Sequence, residues 1–502
     1  MSIKKSIEAS IWGFISTITT GVTQFITVPI LLNQFGKDEY GLLILTLSVF
    51  SYFKMIDFGL PTSTIKACSN WLPQKKYSKI EKSFQSTILF YFSMGALSSL
   101  LLVIIGYYGD SIFNLEEEQK KLFFLIMIIF SFNSILEWLL PIFIVFFSVY
   151  NKIDWINKIT LIRTLILFIG AISVSYFNLS IIVYSLIYIV SSVLQILFFI
   201  FKSKSFDISF KMIFLPIFNY NIFMELFYFG IKLFTMRIFQ ISANYLRPIL
   251  LAIFSLSITS IIVDYHIIQT FCSLVISFAG IFTQILLPLT AKHNALNDKK
   301  NLDKLLFLGT KYITIFISLL IFGLIINLES LIYLYVGPEN LYLKKWIMIS
   351  LFTLIGLHNS PVSSLIITKG ILKPLILFSG INSVLSLLMI ILLTDKLGIG
   401  SAVLSYLSYT VFQTAFIYIY YVKTLFKIDL KNLFLGSFFF PVCIAIVSSL
   451  IFNFFIKYIN IEDLLNTIIF NSVCFTIFYL FFCWLFLTTS DEIKSLTRNF
   501  KF

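Results

Sequence analysis

The sequence predicts an all-α polytopic membrane protein with about fourteen transmembrane helices, and three observations carry that prediction. Hydrophobic residues make up 59% of the 502 and charged residues 12%, against roughly a quarter charged in an ordinary soluble chain. The apolar residues gather into runs of roughly 18–28, each long enough to cross about 30 Å of hydrocarbon. The lysines and arginines between the runs are strongly one-sided. With the N-terminus inside, 24 of the 37 fall in inner segments and 7 in outer ones, as the positive-inside rule requires. This places both termini in the cytoplasm. It also accounts for most of the +13 net charge, so the charge gives no ground for a nucleic-acid partner.

Taken in order, the first ten residues carry Lys4, Lys5 and Glu8 before an apolar run opens at Ile11. That run is about 22 residues long, lacks a small-residue cleavage site and continues into further spans, so it reads as an uncleaved helix rather than a signal peptide. Thr17, Thr20, Gln24 and Thr27 recur at i, i+3, i+7, i+10 along it and share one helix face. A turn, Gln34 to Gly41, leads to a second span ending near Ile65 and holding Lys54 and Asp57. At i, i+3 on a helix these two are expected to pair and lower the cost of burying both. A basic loop, Lys66 to Lys82, follows. Spans three and four cover about 84–108 and 122–148, separated by Glu116, Glu117 and Glu118, with Glu137 inside the fourth. Spans five and six cover about 160–177 and 180–201, and Arg163 begins the fifth. After a basic connector, span seven carries Glu225, Lys232 and two arginines, and span eight (about 259–287) holds Asp264 and His266. Spans nine to fourteen fall near 305–327, 346–367, 372–393, 398–421, 433–455 and 465–487.

Span seven holds the densest polar stripe. Arg237, Gln240, Asn244 and Arg247 are again spaced i, i+3, i+7, i+10. A guanidinium at the bilayer centre costs about 2.5–3.5 kcal/mol on insertion scales. Two on one helix, joined by two amides, are expected to face a polar cavity or a protein interior. Arginine is scarce here, four of 37 basic residues (Arg163, Arg237, Arg247, Arg498), yet three lie in or beside spans. Guanidinium stays charged when buried and binds phosphate with a two-pronged fork. Intramembrane salt bridging is the competing role for the same residues.

Internal similarity suggests duplication. Pro29-Ile-Leu-Leu follows the threonine stripe as Pro248-Ile-Leu-Leu follows the arginine stripe, and Asn70-Trp-Leu is echoed by Asn294-Ala-Leu, each followed by a lysine pair. Spans 1–6 and 7–12 therefore read as parallel repeats, a transporter architecture that places the binding site near the repeat interface. The five cysteines and three histidines show no metal-ligand spacing, and no nucleotide-binding motif is present. No catalytic residue, metal or cofactor is expected.

The segment Pro29-Ile-Leu-Leu-Asn-Gln-Phe-Gly-Lys-Asp-Glu-Tyr-Gly-Leu-Leu, followed by Tyr52 and Asp57-Phe-Gly-Leu, resembles the N-terminal signature of bacterial polysaccharide flippases. These are the Wzx-type O-antigen and capsule repeat-unit transporters of the MATE-like MOP superfamily. Phe229-Gly-Ile-Lys-Leu, Pro288 and Gly337 extend the likeness, which is strongest in residues 29–60. The resemblance implies two pseudo-symmetric six-helix lobes around a central cavity, residues 1–201 and 223–422. A cytoplasmic connector (202–222) joins them, and two extra C-terminal helices lie in 423–502. It implies translocation of an undecaprenyl-pyrophosphate-linked oligosaccharide from the cytoplasmic to the periplasmic leaflet of the inner membrane, coupled to an ion gradient. Polysaccharide polymerase and chain-length proteins are the partners it suggests. On the residue chemistry, substrate contacts are expected from Arg237, Gln240, Asn244, Arg247, Gln24, Thr20, Thr27 and Arg163. Asp57, Glu137, Glu225 and Asp264 are expected to act in ion coupling or as structural acids. A MATE-type multidrug cation antiporter is the alternative from the same fold. A membrane polysaccharide polymerase is the alternative from the enzyme class, disfavoured because no outer loop exceeds about 20 residues.

Overall fold

The computed structural model describes residues 3–203, 217–255, 258–296, 298–456 and 463–488. Within its helices, the side chains of Arg237, Gln240 and Asn244 lie outside the described set. The first helix, α1 (Ile3–Lys54), has 52 residues and would measure roughly 78 Å at 1.5 Å per residue, more than twice the hydrocarbon thickness. It is two spans in one element. Gly36 interrupts it at φ 68°, ψ 178°, a conformation that glycine reaches without steric cost. The break falls in the expected turn between spans one and two.

A second break follows. After Lys54 the chain leaves the helix over residues 55–59, with Phe58 at φ 50° and Gly59 at φ 68°. It re-enters as α2 (Leu60–Trp71), which carries through much of the expected basic loop. The Gly59 N–H donates to Asp57 Oδ1 at 2.8 Å, closing the turn. A Cβ on Gly59 would lie 2.3 Å from the carbonyl oxygen of Gly230, and one on Gly230 would lie 2.7 Å from the carbonyl oxygen of Phe58. Two glycines thus let two backbones cross at a distance that any side chain would forbid. Phe58 packs on Phe90, Phe227 and Phe234 around the crossing.

The remaining helices are α3 (Tyr77–Tyr107), α4 (Gly109–Phe113), α5 (Glu117–Val149), α6 (Ile153–Tyr176), α7 (Ile181–Ser203), α8 (Tyr220–Phe254), α9 (Ile258–Ala295), α10 (Lys299–Ile326), α11 (Leu328–Val336), α12 (Lys344–Thr353), α13 (Ser360–Lys369), α14 (Lys373–Leu397), α15 (Gly400–Phe416), α16 (Phe440–Ile456) and α17 (Leu464–Leu487). Every described element is helical. Glu116 is the N-cap of α5 in a capping box with Gln119, so part of the acidic cluster has a local cause in satisfying the first N–H groups of a helix. Twelve stretches among the described residues are long and apolar enough to cross a membrane. Counting α1 on both sides of Gly36 and adding the 35-residue α8 brings the described spans to the fourteen expected. The chain is a multi-pass membrane protein.

Two compact units emerge: residues 1–270 with 376–405, and residues 271–375 with 406–502. In the first, α3 and α5 form the most extensive helix pair and α1 packs on α6 and α8. Its core is rich in phenylalanine, with Phe84, Phe143, Phe146, Phe147 and Phe199 all buried. In the second, α10 packs on α16 and α17, and Phe322, Phe452, Phe475 and Tyr479 fill the interface. The expected tenth span (346–367) is not one helix but α12, a 3₁₀ turn (Leu354–Asn359) and α13, preceded by another 3₁₀ turn (Pro338–Leu343). Two π-helical segments, Ile417–Leu425 and Asn432–Phe439, flank the connector after α15.

The glycine crossing predicts a sharp asymmetry among glycine substitutions. Gly59→Ala combines a positive φ with a backbone clash, so it should lower stability by about 1–3 kcal/mol or more. Gly436→Ala, with nothing within 4 Å of its Cβ position, should leave stability unchanged. Thermal unfolding of the detergent-solubilised protein, followed by the loss of its monodisperse elution peak, separates the two.

Candidate functional site: a hydroxyl-lined cavity beside a buried charge cluster

The threonine stripe of the first span lines a cavity. Thr20, Thr23, Gln24 and Thr27 from α1 face Thr164 and Phe168 of α6, Tyr184 and Tyr188 of α7, Tyr40 beyond the Gly36 break, and His266 of α9. The cavity measures about 240 Å³. The protons of Thr20, Thr23 and Thr164 are already used locally. Thr20 donates to the Ser16 carbonyl at 2.8 Å and Thr23 to the Thr19 carbonyl at 2.7 Å, which leaves oxygen lone pairs for a ligand. Thr20 and Thr164 approach at 3.4 Å, joining α1 to α6. Gln24 is exposed, with no hydrogen-bond partner among the described residues. Tyr184 and Tyr188 meet edge to face, with centroids 5.6 Å apart. The lining thus offers one amide, hydroxyls, an imidazole and aromatic faces, and no carboxylate.

The next residues along two of these helices hold charge. Arg163 precedes Thr164, and Ser192 lies one turn beyond Tyr188. Glu137, only 1% exposed, forms salt bridges with both Lys54 and Arg163. Ser192 Oγ lies 2.9 Å from Glu137 and 2.7 Å from Asn133 Oδ1, and Arg163 Nη1 donates to Gln195 at 3.0 Å. Two cations against one carboxylate leave the cluster with one net positive charge. Lys54 was expected to pair with Asp57, and the structure gives it Glu137 instead. Its helix ends at Lys54, so i, i+3 helical geometry does not extend to Asp57, whose carboxylate caps the Gly59 turn.

A third group of contacts ties the Gly36 break to the start of α9. Lys37 donates to Asp264 at 3.2 Å, Thr259 donates to Asp38 at 2.7 Å, and the Tyr40 hydroxyl lies 3.3 Å from His266 Nδ1. Asp264, a candidate coupling acid, therefore has a lysine partner and is 6% exposed. Glu225 is exposed near the start of α8. Arg247 is 2% exposed and donates to Ser386 on α14 at 3.2 Å; Ser386 in turn donates to the Ser405 carbonyl. It does not line the hydroxyl cavity. The rest of its stripe, Arg237, Gln240 and Asn244, lies outside the described side chains. Sequence reading did not assign Tyr40, Tyr184, Tyr188 or His266. The usable signal was the period of Tyr184 and Tyr188, one turn apart, which also puts Ser192 on the same face of α7.

No protein-family model and no curated protein matches this sequence. Solved structures do. Similarity to the lipid II flippase MurJ in an inward closed conformation covers 96% of this chain and 98% of that one, at TM-score 0.73 and 18% identity. An inward-facing multidrug-resistance MATE transporter of the MOP superfamily matches over 80% and 92% at TM-score 0.63 and 11% identity. A eukaryotic MATE transporter matches over 85% and 97% at TM-score 0.56 and 15% identity. The chain shares the fold of these solved structures, which are a flippase and two transporters.

The charge cluster predicts which acid is structural. Glu137→Gln leaves two cations without their counter-charge and should cost about 3–5 kcal/mol, seen as loss of the protein from the membrane fraction. Asp57→Asn keeps an acceptor for the Gly59 N–H and should be retained at near wild-type abundance. Quantitative immunoblotting of membranes reads both.

Proposed function

We propose that this protein is a flippase for a lipid-linked oligosaccharide, moving an undecaprenyl-pyrophosphate-linked glycan from the cytoplasmic to the outer leaflet of the bacterial cytoplasmic membrane by alternating access. The observation that carries the reading is the composition of the α1–α6–α7 cavity: hydroxyls, an amide and tyrosine rings, with no acid among its lining. Sugar rings offer hydroxyls to such groups and C–H faces to aromatic rings. An organic cation would instead need an uncompensated carboxylate, because removing charge from water without a partner is costly. The buried carboxylates Asp264 and Glu137 are already held, the first by Lys37 and the second by two cations, and the surplus charge of the Glu137 cluster favours an anionic substrate. The likeness to the lipid II flippase MurJ supports a lipid-linked substrate. O-antigen or capsule repeat units are the substrate class that the sequence resemblance suggests, with polymerase and chain-length proteins as partners. A MATE-type cation antiporter is the alternative on the same fold.

In this reading Thr20, Gln24 and Thr27 contact sugar, while Arg163, Arg237 and Arg247 supply positive potential for the pyrophosphate. Gln240 and Asn244 would extend the polar stripe. In the same reading, two six-helix lobes at 1–201 and 223–422 are proposed, with both termini cytoplasmic. The Lys37–Asp264, Thr259–Asp38 and Tyr40–His266 contacts then lie on the outer side and hold that side closed. Asp264 and Glu225 remain the acids proposed for ion coupling.

Two experiments test the proposal. Gln24→Leu combined with Thr20→Val should cut glycan export about tenfold, the equivalent of about 1.4 kcal/mol of lost hydrogen bonding, with unchanged membrane abundance. Efflux of ethidium by the wild-type protein, with normal glycan display in its absence, would replace the flippase with the antiporter. For the outer contacts, Lys37→Ala should raise labelling of a Gln24→Cys variant by a membrane-impermeant thiol reagent added from outside. Unchanged labelling would remove Lys37 from any gating role.

A further inference from the structure

A cavity larger than the hydroxyl-lined one lies within the second unit, and its chemistry is the opposite. It measures about 780 Å³ and runs between the 3₁₀ turn Leu354–Asn359, α15, and the π-helical segment Asn432–Phe439. Its walls include Phe352, Ile355, Leu407, Val411, Phe434 and Leu435. That volume is within the range of pockets that enclose a drug-sized molecule, about 300–1,000 Å³.

Three features mark it as built rather than incidental. First, its polar wall groups are turned inward on each other. His358 Nδ1 lies 2.7 Å from the Ile355 carbonyl and its Nε2 lies 2.9 Å from the Tyr418 hydroxyl, while its ring stacks on Phe438 at 3.9 Å between centroids. Asn359 donates to Thr414 at 3.2 Å. With those groups paired, the space left is apolar. Second, its backbone is irregular on two sides, one 3₁₀ and one π. In hydrocarbon such backbone persists only where it is buried in protein or lines a cavity, and π segments recur at functional positions. Third, the cavity is bordered at one end by a cationic rim. Lys431 lines it, Lys427 is exposed on the same connector, and Lys423 is exposed in the last turn of the preceding π-helical segment. Asp429, the acid among them, is occupied as the cap of Asn432, accepting from its backbone N–H at 3.2 Å and its amide at 2.6 Å. Val411, Ile419 and Phe434 are exposed beside the cavity, so an occupant could enter from the surrounding hydrocarbon.

We propose that this cavity binds an anionic glycerophospholipid, with an acyl chain between α15 and the Asn432–Phe439 segment and its phosphate headgroup at Lys431 and Lys427. The occupant follows from charge complementarity: an apolar slot that ends at clustered lysines fits a chain that ends in phosphate. Juxtamembrane lysines attract anionic lipid in this way. The assignment does not rest on the transported substrate.

Native mass spectrometry of the full-length detergent-solubilised protein, titrated with dioleoyl phosphatidylglycerol or dioleoyl phosphatidylcholine, tests it. Wild type should retain the anionic lipid preferentially. Lys427→Ala with Lys431→Ala should weaken retention of phosphatidylglycerol about tenfold or more and leave phosphatidylcholine unchanged. Val411→Trp, which places bulk at the exposed side of the slot, should reduce retention of the anionic lipid while the protein still elutes as a single monodisperse peak. Ser408→Trp, on the same helix but not among the lining residues, is a matched control and should retain lipid normally. Equal retention of the two lipids by wild type would overturn the proposal. So would undiminished phosphatidylglycerol binding by either the lysine or the Val411 variant. Displacement of bound phosphatidylglycerol by undecaprenyl phosphate, but not by excess cardiolipin, would reassign the slot to an isoprenoid chain and equally overturn it.

Discussion

A helix inside a bilayer can abandon its hydrogen-bond ladder only where protein or a cavity takes over the exposed backbone groups, and this chain does so repeatedly. Each departure carries a local explanation. Gly36 breaks α1 with its own left-handed φ, and the residues just beyond it, Lys37, Asp38 and Tyr40, reach the start of α9. Residues 55–59 leave the helix where Asp57 caps the turn and two glycine backbones cross. The Leu354–Asn359 turn is supported by His358 and Asn359. Irregular backbone in this molecule therefore coincides with polar side chains, cavities or close crossings. The straight spans between, such as α3 and α5, supply phenylalanine packing instead.

The buried cluster around Glu137 shows how costly polar groups are held among such spans. A lone carboxylate there would be strongly disfavoured. Two cations, Ser192 and the neighbouring Asn133 share its surroundings. The cluster joins the end of α1 and the middles of α5, α6 and α7, so it fixes the relative placement of the helices that wall the hydroxyl cavity. A residue set that looks like part of a transport site is then also what positions that site. For this reason, abundance has to be measured beside activity for every variant of Lys54, Glu137 or Arg163.

Much of the architecture was legible because one rule operates over each span at a time. Hydrophobic length located the spans, and the 3.6-residue period placed Thr20, Gln24 and Thr27 on one face, which the structure turns into a cavity. What escaped were relations between spans. Lys54 and Glu137 are 83 residues apart, and no local period connects them. The Lys54–Asp57 pairing failed because helical spacing was carried through a segment that glycine and Asp57 had already ended. The 3₁₀ and π segments escaped for another reason: their composition is as apolar as that of the neighbouring α-helix, and composition alone does not report hydrogen-bond register.

The two cavities differ in how their polar groups are used. Thr20, Gln24, Tyr184 and Tyr188 present polar atoms and ring faces to enclosed space within the first unit. His358 and Tyr418 satisfy one another, leaving apolar walls around the larger space within the second. Both sets use residues capable of hydrogen bonding, and the difference is whether those bonds are closed within the protein or left available. Substituting Tyr418 by phenylalanine would make that point physically. It removes the hydroxyl that His358 Nε2 engages, so an unsatisfied imidazole nitrogen would face the apolar slot and bring a desolvation cost of about 1–3 kcal/mol. In the hydroxyl cavity Tyr184 and Tyr188 are also hydrogen-bonded to one another, and the Tyr40 hydroxyl lies 3.3 Å from His266, so the group left available is the Gln24 amide. Cavity chemistry in this fold is thus set less by which residues line the space than by whether they have already been paired.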